Sequence, residues 1–142
     1  MAQQQYKGIA GWLAVLATFQ VLGLLYRVSG LAGNLSSISR SFATQPVVFG
    51  YALAADLAVV TLTLYCTLLL FRRRQPFPST FRLQLWIVAT LHLFDFALRR
   101  LLLGSTRSMV YETAEMVGLV TIAIVGSLYT LQSVRVRNTF VG

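Results

Sequence analysis

Charge is scarce in this sequence. Only 11% of its 142 residues are charged, while 56% are hydrophobic, against roughly a quarter charged in ordinary soluble domains. A chain of this length has room for one domain, and a soluble one could not cover so much apolar surface with so few charges. That excludes a soluble enzyme, a disordered tail and a disulfide-rich secreted module. Cysteine is nearly absent: Cys66 stands alone, so there is no intrachain disulfide and no CxxC or Cys/His ligand pattern. Histidine is limited to His92, which rules out bis-histidine haem ligation within one chain. No glycine-rich phosphate loop appears, and no serine or threonine has a His/Asp partner in reach of a nucleophile. The expectation is a non-enzymatic protein with no cofactor and no metal.

Acid is the scarcest charge. Twelve Lys+Arg against four Asp+Glu leave +8. Such an excess on a soluble face would suggest nucleic acid, but this chain has no soluble face to present, so no nucleic-acid partner is expected. Its basic residues instead read as membrane topology.

What is present is four long apolar runs. A membrane-spanning helix needs about 20 mostly apolar residues. Gly8–Tyr26 and Met116–Val134 carry no charge at all, Val47–Phe71 is interrupted only by Asp56, and Leu83–Leu103 by Asp95, Arg99 and Arg100. The pattern predicts an all-α integral membrane four-helix bundle in a single transmembrane domain over 1–142, with spans near 11–31, 47–71, 83–103 and 112–132. The first run exceeds the usual 7–15 residue core of a signal peptide, so it reads as a retained span.

Between the first two spans, 32–46 is serine-rich and ends in Pro46. Leu35, Ile38 and Phe42 recur there at helical spacing, so the segment reads either as a short interfacial helix or as an irregular loop. Arg72, Arg73 and Arg74 with Pro76 and Pro78 stop the second span. Small residues at fourfold spacing, Ala54/Ala58, Ala114/Gly118 and Ala123/Ser127, mark candidate helix contacts.

With the N-terminus inside, Lys7, Arg72, Arg73, Arg74, Arg82, Arg135 and Arg137 gather on the cytoplasmic side, while the external loops hold only Arg40 and Arg107. Both termini are therefore expected inside. Arg72, Arg73, Arg74, Arg82, Arg135 and Arg137 then act as anchors that attract anionic lipid, each worth about 1 kcal/mol near the surface. Trp12 and Trp86 fall at the same interface.

Three segments belong together: Tyr6-Lys7-Gly8-Ile9-Ala10-Gly11-Trp12-Leu13, Phe71-Arg72-Arg73-Arg74-Gln75-Pro76-Phe77-Pro78, and the tail with Tyr129, Ser133, Arg135, Val136, Arg137, Thr139 and Phe140. This combination resembles the YdgK-like group of small bacterial four-span membrane proteins of unknown function. The resemblance covers nearly the whole chain, and the tail is its most specific part. The Trp-x-Pro that often precedes the tail tyrosine in that group is replaced here by Gly126-Ser127-Leu128. The resemblance implies a bacterial inner-membrane location and brings no established activity.

The ionisable residues inside the spans are the candidate site. At 1.5 Å per residue, Asp56 falls roughly 4–5 Å outward of its span centre, Asp95 about 3 Å, and Arg27, Arg99 and Glu115 near 9–10 Å. All four acids share the outer half, where buried charges normally face the bundle and pair. His92, Asp95 and Arg99 line one face of the third helix, with Asp95 and Arg99 spaced as an i, i+4 pair. Arg100 points about 100° away and reads as snorkelling to the headgroups. Glu112 and Glu115 are natural partners for Arg27 or Arg99, and Asp56 and Asp95 are expected to point into the bundle and meet Arg27 or Arg99, Asp56 otherwise taking up a proton.

The cluster Arg27, Asp56, His92, Asp95, Arg99, Glu112 and Glu115 thus has two readings. One is a structural polar knot that sets helix register; the other is a proton relay or anion site. The corresponding functions are an accessory or scaffold subunit packing against a larger membrane complex, or a small transporter or sensor for an ion, proton or small anion. Partners follow suit: membrane lipids, and a membrane-protein partner or self-association.

Overall fold

The computed structural model describes residues 11–104, 109–133, 136 and 140, without the side chains of 12, 39–41, 103 and 109. Every described element is helical: α1 Trp12–Ser36, α2 Ile38–Thr44, α3 Pro46–Phe71, α4 Phe77–Leu103 and α5 Met109–Gln132. The four long helices are each long and apolar enough to cross a membrane. At 24 to 27 residues they reach roughly 36–40 Å, beyond the ~30 Å hydrocarbon core.

Local chemistry places the boundaries. Gly11, at φ 57°, precedes the first turn of α1 in a conformation that favours glycine. At the other end of α1, the hydroxyls of Ser36 and Ser37 both donate to the carbonyl of Gly33, at 2.7 and 3.3 Å, and satisfy an acceptor the helix leaves open. Pro46 opens α3 at a position where its missing N–H costs nothing. Gly104, left-handed at φ 58°, closes α4.

Predicted boundaries move at three of the long helices, α5 among them, which begins at Met109 rather than near residue 112. The third span begins at Phe77 rather than near residue 83, because Pro76 and Pro78 sit at the helix start, where proline is favoured. The prolines that stop one span therefore also launch the next. In the serine-rich connection, α1 runs on to Ser36 and α2 follows, so the helical reading of this segment holds. Phe42 of α2 meets Phe49 of α3 edge-on, with ring centroids 5.2 Å apart.

The long helices pack in a row, α1 on α3, α3 on α4 and α4 on α5, with α2 against α3. The apolar core sits at the end where α3 reverses into α4, called here the turn end. Leu13, Ala17, Cys66, Leu69, Leu70, Phe77 and Phe81 meet there with Val136 and Phe140 from beyond α5. Phe77 is fully buried and lies against both Phe81 (5.6 Å) and Phe140 (4.7 Å). Of the small-residue pairs, only Ala123/Ser127 lies on a packed face; Ala54, Ala58 and Ala114 are exposed. Gly126 marks a close α4–α5 approach, since a Cβ there would lie 2.6 Å from Leu85 Cδ1.

Candidate functional site

Away from the turn end the helices line a half-open polar cavity of about 830 Å³. Its wall takes Arg27 from α1, Asp56 from α3, His92, Asp95 and Arg99 from α4, and Glu112 and Glu115 from α5. All seven ionisable residues singled out in the spans therefore reach one space. Helical periodicity accounts for the α4 contribution, because positions three, four and seven apart share a face. Tertiary packing supplies the rest.

Asp95 accepts a hydrogen bond from Arg99 Nε at 2.8 Å, one turn along the same helix. That bond occupies Oδ2, and Oδ1 is buried without a hydrogen-bond partner among the described residues. His92 Nδ1 lies 2.9 Å from the carbonyl of Val88. A carbonyl only accepts, so Nδ1 carries the proton of this bond and Nε2 is left to the cavity. Tyr51, also in the wall, donates its hydroxyl to the carbonyl of Leu91 at 2.8 Å and so links α3 to α4.

Three pairings differ from the sequence expectation. Asp56 is met by the amide of Asn34, which donates from α1 at 2.7 Å, and neither arginine forms an ion pair with it. An amide holds a carboxylate without a second charge, so Asp56 joins α1 to α3 through Asn34, while Arg27 stands within the field of Asp56 without forming an ion pair with it. Arg100 reaches α5 and lies 3.7 Å from Glu112. Its fork reaches across the α4–α5 contact, where Glu112 is the better-buried partner. Neither Arg27 nor Glu115 has an ion-pair partner within 4 Å among the described residues.

Sequence reasoning centred on charge also passes over a neutral network. Gln20 Nε2 donates to Gln84 Oε1 at 2.7 Å, and Gln84 Nε2 donates to Thr63 Oγ1 at 3.0 Å, all three buried. This network lies between the cavity and the apolar core and joins α1, α3 and α4. Glutamine inside an apolar span was the available signal, since an unpaired amide there is costly.

Of the basic anchors, Arg72, Arg73 and Arg74 are exposed at the turn end and Arg82 is half-buried on α4; Arg135 and Arg137 lie outside the described residues. The tail motif has a structural role in its described part. Val136 and Phe140 enter the core, and Ser133 Oγ accepts from the Val136 N–H at 3.3 Å. Among the described residues, no three His, Cys, Asp or Glu side chains are placed to share a metal ion.

A family model described as a protein of unknown function, DUF2569, matches residues 6–141. No curated protein and no solved structure matches the chain.

Proposed function

We propose, for a chain that belongs to the DUF2569 family of proteins of unknown function, a non-enzymatic role as a multi-pass membrane protein that holds a small charged solute in its polar cavity. The observation that carries this reading is the cavity wall, where Arg27 and Glu115 stand on different helices with no ion-pair partner within 4 Å among the described residues. A charge lining a cavity in an apolar bundle costs free energy, and a purely structural cluster would bring the exposed Glu115 and Arg27, which has Asp56 near it but no ion pair, onto one another. A solute that carries both signs, a small zwitterion, offers each group its partner. His92 Nε2 and Asp95 Oδ1 supply further polar contacts.

The other reading, an accessory subunit of a larger membrane complex or a self-associating protein, draws on the exposed apolar faces of α1 and α5. Bilayer lipid covers such faces equally well, so they do not decide between partners. The cavity has no such substitute. The YdgK-like resemblance and the basic asymmetry support a bacterial inner-membrane protein with both termini cytoplasmic. Labelling of single cysteines at Ser37 and Ser79 in intact cells, with Cys66 replaced, tests that orientation: labelling of position 79 from outside reverses it.

Thermal unfolding of the detergent-solubilised protein against an amino-acid zwitterion, an inorganic anion and a divalent cation tests the solute. A ligand at 100 times its Kd stabilises by about 2.7 kcal/mol. The expected result is a shift with the zwitterion that Arg27→Gln and Glu115→Gln each remove while the fold persists. No shift with any solute, together with a stoichiometric complex from native membranes, would favour the accessory role.

A further inference from the structure

The turn between α3 and α4 carries a second feature, independent of the cavity. Three arginines in succession, Arg72, Arg73 and Arg74, are exposed there and line a surface concavity with Gln75 and Pro76. The backbone closes α3 in a Schellman turn: the Arg73 N–H donates to the carbonyl of Leu70 at 3.1 Å, and the Arg74 N–H to that of Leu69 at 3.0 Å. In this motif the residue after the cap is left-handed and is usually glycine, because a Cβ is strained there. Here it is Arg73, at φ 51°, the one non-glycine residue with positive φ among those described.

Glycine at position 73 would make the same turn without strain, so the backbone does not call for arginine. An arginine held against backbone preference points to a use for its side chain. Compensation of the α3 dipole does not account for it, since Arg72 and Arg74 already stand at that helix end. The next helix begins at once, and α4 has no acidic residue in its first turn, so its positive N-terminal end adds to the same field. A phosphate monoanion or diester is the chemistry that three guanidinium forks accept, and the dipole of α4 favours the same sign of charge although its first N–H groups are absent at Pro76 and Pro78 or already bonded at Phe77.

Position names the source of the phosphate. The 26 residues of α3 reach about 39 Å, so a helix centred on a ~30 Å hydrocarbon core ends in the headgroup layer. We infer that the Arg72–Arg74 turn is a binding site for the headgroup phosphate of an anionic phospholipid, with Arg73 kept in a strained conformation to present its guanidinium.

Native mass spectrometry of the full chain, delipidated and then offered equal phosphatidylglycerol and phosphatidylcholine, reads this directly. Wild type should retain phosphatidylglycerol preferentially. Arg73→Gly should lower that retention about fivefold, the effect of one arginine near a charged surface. Its Tm in zwitterionic detergent should equal or exceed that of wild type, because the strain is gone. Arg73→Lys should keep most of the preference, and Arg72→Gln with Arg74→Gln should lose it further. Undiminished retention in Arg73→Gly, or a Tm below wild type, would overturn the proposal. Inorganic phosphate that displaces phosphatidylglycerol at equal concentration would overturn the lipid source and assign the site to a soluble phosphate.

Discussion

The two ends of this bundle are built on opposite principles. At the turn end, side chains from α1, α3 and α4 and from the segment after α5 interlock in an apolar core around Phe77. At the other end the same helices stand around a polar cavity whose charged groups are only partly paired. Between them lies the Gln20–Gln84–Thr63 network. In a bilayer, lipid tails are as apolar as the helix faces, so tight packing and internal hydrogen bonds do most of the holding. The difference teaches a division of labour. One end holds the helices in register, which leaves the other free to keep charges unspent.

The sharpest way to break that contrast is at Phe77. Phe77→Ala removes a fully buried ring that touches both Phe81 and Phe140, and should cost about 3 kcal/mol. A large fall in Tm in detergent is the expected outcome. The Phe140 amide, which donates to the Val136 carbonyl, should lose protection in hydrogen exchange with it, because Phe140 packs directly on that ring.

A smaller effect is expected in the dividing network. Gln84→Leu leaves Gln20 Nε2 and Thr63 Oγ1 without the partners they have now, at about 1–2 kcal/mol. The double change Gln20→Leu with Gln84→Leu removes both amides and should recover part of that loss. A double-mutant cycle on Tm measures the coupling. An additive result would show that the amides do not act as a pair.

The smallest effect belongs to the cavity. The side chains of Arg99 and Asp95 are 50% and 30% exposed, and an ion pair that open to its surroundings is worth about 0.2–1 kcal/mol. Asp95→Asn should therefore lower Tm only slightly, and Asp95→Asn with Arg99→Gln no further. A loss as large as that of Phe77→Ala would mean that the cavity end also holds the fold together, and the contrast between the ends would collapse.

Much of this was legible from residue order. Nineteen uncharged positions in a row at Gly8–Tyr26 leave a chain little choice but a membrane helix, because backbone groups in lipid must satisfy one another. His92, Asp95 and Arg99 could be placed on one face from spacing alone, since helical periodicity is local. The start of α4 was less legible: proline ends one helix and begins another by the same missing N–H, and only the packing of Phe77 and Phe81 shows which applies.

Pairing across helices was not legible at all. Coulomb's law favours an arginine for Asp56, yet Asn34 holds it, because the rotation of α1 against α3 is set by every contact along their length. Arg100 likewise meets Glu112 through the seating of α4 on α5, which no spacing within α4 reveals. The sequence by itself determined how many helices cross the membrane, which residues must avoid lipid and where the basic turn falls, since hydropathy and charge act residue by residue. Only the tertiary structure decided which charges pair and which stay open, that two glutamines and a threonine would divide the bundle, and that the tail would close its core. Those outcomes depend on how four helices rotate and slide against one another, a collective choice that side-chain packing makes and no single residue carries.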